Sequence, residues 1–130
     1  MLICTSGSFS GERCDGLVDS VDQLTLSFGP VSSGLVDELV FATQIAGENL
    51  GGTGDSGGPV FSYRVDLRHI RARGILSGAS LLDSISGIDF RAPCTGDIGP
   101  GRICSRRLSY STIQNSMSHH DVWIEDGVGP

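Results

Sequence analysis

The segment from residue 51 to residue 60 contains the residue types that nucleophilic catalysis needs. In the run GGTGDSGGPV, Ser56 follows an acid directly and lies among glycines. A tight glycine-rich turn of this kind exposes a hydroxyl group and lets a substrate carbonyl approach closely. The backbone N–H groups of Gly54 and Ser56 could stabilise the negative oxygen that forms in acyl transfer. The alternative is a glycine-rich turn capped by Asp55, and composition alone does not choose between the two.

The histidines and cysteines do not have the spacing of a metal site. His119 and His120 are neighbours in a predicted helix, where adjacent side chains point about 100° apart. His69 lies in a charged stretch that is typical of a solvated surface. The cysteines form no close couple of the kind that binds zinc. We therefore expect no metal and no cofactor.

The four cysteines fall into two pairs with equal spacing. Nine residues separate Cys4 from Cys14, and nine separate Cys94 from Cys104. Such pairs in glycine-rich loops favour two short-range disulfides over buried free thiols, and disulfides indicate a secreted or periplasmic protein. The first residues show neither the charged start nor the apolar stretch of a secretory signal, so we expect none in this sequence.

Length and composition predict one all-β domain that spans residues 1–130. Nineteen glycines among 130 residues are about twice the usual share of roughly 7%, which favours a turn-rich β fold. The formal charge of −6 argues against nucleic acid and anionic membranes as partners. No apolar run approaches the roughly 18 residues of a transmembrane helix.

The elements that must hold the serine turn are mostly predicted strands. Residues 17–28 and 59–63 are predicted as strands, whereas residues 35–45 fit either a helix or a strand. Residues 80–103 are irregular and indicate a long loop held by the second cysteine pair. Tyr110, Ile113 and Met117 are three or four residues apart, which predicts a short C-terminal helix over 108–123.

Several segments resemble the chymotrypsin-like serine proteases, and in particular the bacterial secreted branch of the streptogrisin and alpha-lytic type. The run GDSGGP at 54–59 resembles that family's nucleophile signature. The run CTSG at 4–7, followed by Gly11 and Cys14, is similar to the disulfide loop that opens the second barrel in this branch. The run GILSG at 74–78 resembles the strand that pairs with the substrate backbone, and residues 110–124 are similar to the branch's closing helix. The resemblance implies a six-stranded antiparallel β-barrel with a short C-terminal helix, which is the second barrel of a trypsin-like fold.

The resemblance also implies roles for individual residues of the turn. Ser56 would be the nucleophile, and the N–H groups of Gly54 and Ser56 would form the oxyanion hole. Asp55 would hold the turn through an ion pair, although Thr5 stands where the branch commonly has the partner arginine.

The substrate side of the site is implied in the same way. Leu50 would lie at the base of the primary pocket, and its apolar side chain predicts an apolar residue before the scissile bond. Thr53, Ser77, Gly78 and Ala79 would complete the substrate-binding surface for a peptide or protein.

The family's histidine and aspartate are absent from their expected places. All three histidines follow Ser56 in the sequence, whereas the family's general base precedes the serine. We therefore expect the chain to be inactive alone and to need a first barrel, either as a missing N-terminal half or as a partner chain. The barrel of this chain should then expose an apolar face where the first barrel packs. The competing hypothesis is a non-enzymatic peptide-binding module that uses the strand near Ser77 as an edge.

Overall fold

A computed structural model describes residues 1–27, 33–66, 68–97 and 99–113. Side chains are described for all of these residues except those between 22 and 38. This part of the chain is built mainly from strands and turns. The strands within it are β1 (Leu2–Gly7), β2 (Gly11–Ser27), β3 (Ser33–Gln44), β4 (Gly51–Gly52), β5 (Pro59–Tyr63), β6 (Ile70–Ser80), β7 (Arg91–Ala92), β8 (Cys104–Ser105) and β9 (Arg107–Thr112). No helix in the described ranges has the length and apolar character to span a membrane.

Six of these strands close into an antiparallel barrel. Its order is β1-β2-β3-β9-β6-β5, with β5 returning to pair with β1. The prediction of an all-β, six-stranded antiparallel barrel is thus confirmed. The ambiguous segment 35–45 lies almost entirely in β3, because β2 and β9 supply hydrogen-bonding partners on both of its sides. The three short strands form a second sheet in the order β4-β8-β7.

The barrel encloses one apolar core. Its residues come from β1, β3, β5, β6 and β9 and from the loop before β4: Ile3, Val40, Ala42, Leu50, Val60, Leu76, Leu108 and Tyr110. Close packing depends on Gly74 in β6, where a Cβ atom would lie 2.1 Å from the Ser111 carbonyl oxygen and 2.6 Å from the Tyr110 ring. A side chain at this position would therefore clash with the neighbouring strand β9.

The predicted C-terminal helix is wrong over its first five residues. Residues 108–112 belong to β9, which pairs with β3 on one side and β6 on the other and so closes the barrel. The helical spacing of Tyr110 and Ile113 is outweighed by the strand partners available on both sides of β9. Residues 114–124 of that prediction lie outside the described residues.

Both predicted disulfides are present. Cys4 bonds to Cys14 across β1 and β2, and Cys94 bonds to Cys104 at the start of β8. Each closes a loop with a sequence separation of ten residues. Two disulfides are compatible with an extracellular protein.

Candidate functional site

The chain between β4 and β5 forms the turn that presents Ser56. The Asp55 N–H donates to the Gly52 carbonyl at 3.0 Å, and the Gly58 N–H donates to the Asp55 carbonyl at 3.0 Å. Gly54 and Gly57 have φ angles of 92° and 86°, a backbone conformation that side-chain-bearing residues rarely adopt. These glycines let the chain reverse twice within a few residues and leave Ser56 exposed between them. We call residues 52–58 the nucleophile turn.

The barrel holds this turn from one side. The Gly57 N–H donates to the Leu76 carbonyl, and the Leu76 N–H donates to the Gly58 carbonyl, both at 2.9 Å. A Cβ atom on Gly58 would lie 2.9 Å from the Ser6 carbonyl oxygen of β1. The turn therefore lies against β1 and β6, and its position follows from the barrel.

Two backbone N–H groups of the turn are free to bind an anion. Neither the Gly54 N–H nor the Ser56 N–H donates to an acceptor in the described ranges, whereas the Asp55 N–H between them is bonded. Both the glycine and the serine are exposed here. Free donors beside a nucleophilic hydroxyl are what an acyl-transfer site needs to stabilise a developing oxyanion.

Asp55 is buried beneath the turn and accepts hydrogen bonds through both carboxylate oxygens. Only 1% of it is exposed. Its donors are the N–H groups of Phe9 and Ser10 at 3.0 Å, the Gly52 N–H at 2.9 Å, the Ser10 hydroxyl and the Arg102 guanidinium at 3.3 Å. Burial alone would raise the pKa of this carboxyl group, but the hydrogen bonds from Ser10, Phe9 and Gly52 outweigh it and lower the pKa. Asp55 is therefore an anion that fastens the turn to the 8–10 segment.

The ion-pair partner of Asp55 is Arg102, which sequence reasoning missed. The Arg102 side chain is 8% exposed, and its Nη2 atom lies 3.3 Å from Asp55 Oδ2. Thr5 stands where the family resemblance implies an arginine, and its hydroxyl instead donates to the Leu50 carbonyl at 2.6 Å. The sequence contains one indication that Arg102 could be this partner, because it is the single basic residue between Cys94 and Cys104.

An apolar pocket of about 220 Å³ opens beside Ser56. No charged residue of the described chain lines it. Its lining consists of Gly51, Gly52, Thr53, Ser56, Leu76, Gly78, Ala79, Leu81, Ile103 and Leu108. Of the residues predicted from the sequence, Thr53, Gly78 and Ala79 thus meet Ser56 at one cavity. Leu81 and Ile103 were not predicted.

Two predicted site residues lie elsewhere. Leu50 has no exposed surface and packs in the barrel core, where a Cβ atom on Gly16 would lie 2.8 Å from its Cδ1 atom. It does not line the pocket. Ser77 precedes the pocket residue Gly78 on β6, and its hydroxyl lies 3.1 Å from the Ser111 hydroxyl. Ser77 is therefore next to the pocket, and Leu50 is inside the barrel.

No histidine of the described part bonds to Ser56. His69 is exposed in the turn before β6, and its Nδ1 atom lies 2.8 Å from Asp66 Oδ2. His119 and His120 lie outside the described residues. Within the described ranges the Ser56 hydroxyl has no hydrogen-bond partner.

One group of side chains has the proximity of a metal site but not the chemistry. Cys4, Glu12 and Cys14 lie within 4.8 Å of one another. Both sulfur atoms are bonded in a disulfide, so they offer no thiolate to a metal ion.

Neither a protein-family model, nor a curated protein, nor a solved structure matches this chain.

Proposed function

We propose that this barrel carries the nucleophile of a serine endopeptidase of the chymotrypsin-like kind. One observation carries the proposal: Ser56 lies exposed in a glycine-rich turn, at an apolar pocket and beside two N–H donors that have no acceptor among the described residues. Nucleophile, oxyanion donors and substrate pocket are three of the four parts that peptide-bond cleavage by a serine requires. The cysteine usage is consistent with secretion.

The proposed reaction begins at the scissile carbonyl of a bound peptide. The Ser56 oxygen attacks the carbonyl carbon, a base takes the hydroxyl proton, and the carbonyl oxygen becomes negative against the N–H groups of Gly54 and Ser56. The intermediate expels the amine, which takes the proton from the base, and leaves an acyl-serine. Water then attacks the acyl carbon while the same base accepts its proton. The second intermediate releases the carboxylic acid as the base returns that proton to the Ser56 oxygen.

The base is the part that the described residues do not supply. No histidine precedes Ser56 in the sequence, and the Ser56 hydroxyl has no partner in the described ranges. A hydroxyl without a base is a weak nucleophile at neutral pH. The proposal therefore includes a second, base-bearing barrel that docks beside the nucleophile turn.

An apolar cavity beside Gly57 is the surface that such a barrel would cover. It measures about 490 Å³ and is lined by Pro59, Ile70, Ala72 and Ile75 among others. Ile70 is 57% exposed and Ile75 is 40% exposed, although both belong to a barrel strand. Because Gly57 follows Ser56 directly, a partner seated in this cavity would be close to the hydroxyl that needs a base.

The pocket beside Ser56 supports an apolar substrate side chain. Its lining has no charge to pair with lysine or arginine, and burying an unpaired charge there is costly. The proposed substrate is a peptide or protein with an apolar residue before the scissile bond.

Labelling with a fluorophosphonate probe tests the proposal. Free imidazole in solution should replace the missing base and raise the rate of Ser56 labelling, because a base that accepts the hydroxyl proton activates the nucleophile. Ser56→Ala should lose the labelling, whereas Ser8→Ala, which removes another exposed serine, should retain it. Labelling that imidazole does not accelerate, or that persists in Ser56→Ala, contradicts the proposal.

A specific observation favours a second candidate, the peptide-binding module. Strand β5 pairs with β6 only as far as Ile75, so residues 78–80 pair with β9 alone among the described strands. An open strand edge can add a peptide strand by backbone hydrogen bonds. If extended peptides bind equally to the unmodified chain and to Ser56→Ala, and imidazole-assisted labelling is absent, this second function replaces the first.

A further inference from the structure

All three nitrogen atoms of the Arg102 guanidinium donate hydrogen bonds. Their acceptors lie in the nucleophile turn, at Ser10 and in the loop that contains Arg102 itself. Nε donates to the Thr53 carbonyl at 3.1 Å, and Nη2 donates to the Ser10 hydroxyl at 2.7 Å. Nη2 also lies 3.3 Å from Asp55 Oδ2. Nη1 donates to the carbonyls of Thr95, at 3.0 Å, and Asp97. With 8% of its side chain exposed, Arg102 is a buried cation with a full set of acceptors.

The bond to Thr53 acts on the peptide group that contains the Gly54 N–H. The carbonyl of residue 53 and the N–H of residue 54 belong to one planar trans unit, in which the two groups point in opposite directions. Holding the carbonyl toward Arg102 therefore aims the N–H away from it. Gly54, with its φ of 92°, has little intrinsic preference to resist rotation of this peptide, so an external contact must select the orientation.

Arg102 also restrains Asp55, the residue that follows Gly54. Its second contact is with the Asp55 carboxylate, which also receives the Gly52 N–H. The residues before and after Gly54 are thus bound to the same cation. A charged donor on the Thr53 carbonyl also polarises that peptide and strengthens its N–H as a donor.

Arg102 lies in a loop that a disulfide bond closes. The Cys94–Cys104 bond closes the loop, and backbone hydrogen bonds join it to its neighbours: Asp97 N–H to the Phe9 carbonyl at 2.8 Å, and Thr53 N–H to the Ile103 carbonyl at 3.0 Å. The Arg102 guanidinium also lies 5.7 Å from the centre of the Phe9 ring. The arginine is therefore fixed at its backbone as well as at its side chain.

We propose that Arg102 is a positioning residue, which orients the Thr53–Gly54 peptide so that the Gly54 N–H serves the substrate oxygen. The inference rests on the proposed function only where it takes that N–H as an oxyanion donor. The orientation of the peptide is a property of the free chain and is testable without any reaction.

The first test uses nuclear magnetic resonance on the unmodified, isotopically labelled chain. The Arg102 Nε–H should exchange slowly with solvent and should show a scalar coupling across the hydrogen bond to the Thr53 carbonyl carbon. A rapidly exchanging Nε–H with no coupling overturns the proposal, whatever the variants do.

Three variants give the second test. Arg102→Met removes the donor, and Arg102→Lys keeps the charge but lacks the planar fork that reaches several acceptors at once. Both should shift the Thr53 carbonyl carbon and the Gly54 amide signals. Arg106→Met is the matched control, because Arg106 lies over the Phe90 ring at 5.0 Å and has no side-chain contact with the turn among the described residues. If Arg102→Met does not fold, the Arg102→Lys variant alone tests the proposal. Unchanged Thr53 and Gly54 signals in Arg102→Lys overturn the proposal.

The imidazole-assisted labelling rate separates this inference from the proposed function. Loss of one oxyanion donor costs about 10²–10³-fold in rate, so we expect a loss of that order in Arg102→Met and none in Arg106→Met. An unmodified chain that is not labelled contradicts the proposed function and leaves the resonance tests to decide on Arg102. A labelled chain whose rate is unchanged in Arg102→Lys and Arg102→Met contradicts the positioning role alone.

Discussion

Replacing Asp55 with asparagine should destabilise the barrel more than any surface change of equal size. The amide would keep the shape of the side chain, and its one oxygen could still accept from the N–H groups of Phe9 and Ser10. The other position would carry an NH₂ group facing the Gly52 N–H and Arg102, which are both donors. The Gly52 N–H and the Arg102 cation would then lose their acceptor, and the Ser10 hydroxyl, which donates to the same oxygen, would have to turn away.

The expected loss in the free energy of unfolding can be worked out from these broken contacts. Breaking a buried ion pair by removing one partner typically costs about 3–5 kcal/mol, because the remaining charge stays buried without compensation. Each charge-assisted hydrogen bond contributes about 1.5–3 kcal/mol, so two lost bonds give a similar range. Against the roughly 5–15 kcal/mol that is usual for a domain, Asp55→Asn should remove a large fraction of the free energy of unfolding.

Urea unfolding followed by circular dichroism, with the disulfides intact, measures this loss. Asp89→Asn is the matched control, since Asp89 pairs with Arg91 at the surface and the pair should contribute little. A loss below about 1 kcal/mol in Asp55→Asn would refute the reasoning, because a value that small is ordinary for an exposed site.

The same variant makes a prediction about acid. Hydrogen bonds lower the pKa of Asp55 in the folded chain, so its contribution to stability is complete above the pKa of the unfolded chain. That contribution is lost as the pH falls through the lower, folded pKa. Asp55→Asn should therefore flatten the acid side of the curve of stability against pH, and an unchanged curve would assign acid unfolding to other groups.

Three further changes test the pocket, the core and the second disulfide. Ile103→Ala should enlarge the pocket and shift the preference of Ser56 probes toward larger apolar groups, which competition between leucyl and phenylalanyl phosphonates measures. Leu50→Ala should cost about 2–5 kcal/mol in urea and leave that preference unchanged, because Leu50 is in the core. Replacing Cys94 and Cys104 together with serine should cost about 3 kcal/mol from loop entropy and should lower the imidazole-assisted labelling rate.

The family resemblance implied the six-stranded barrel, whereas the glycine-rich turn and the disulfides could be predicted from local signals in the sequence. Six contiguous residues, 54–59, carry the turn, and each disulfide joins cysteines ten positions apart. The Asp55–Arg102 pair could not be predicted in this way. Its members are 47 positions apart and meet only because the Cys94–Cys104 loop lies against the turn.

The differences between expectation and structure have physical causes of the same kind. The family resemblance assigns Leu50 to the base of the primary pocket, whereas its side chain packs in the core with Ile3 and is not part of the cavity lining beside Ser56. The helical spacing that includes Tyr110 was real as a pattern, yet residues 108–112 find strand partners on both sides. Tertiary packing and pairing decided these outcomes, and no short window of sequence contains them.

The most direct test of the central claim is an adduct with a peptide boronic acid that has an apolar side chain next to boron. With imidazole in solution as the base, the boron should become tetrahedral on the Ser56 oxygen, as ¹¹B resonance detects, and the Gly54 and Ser56 amide signals should shift with it. Ser8→Ala should form the same adduct, and Ser56→Ala should form none. A boron that stays trigonal, or an adduct that survives in Ser56→Ala, would contradict the claim that this turn is a nucleophile with oxyanion donors beside a substrate pocket.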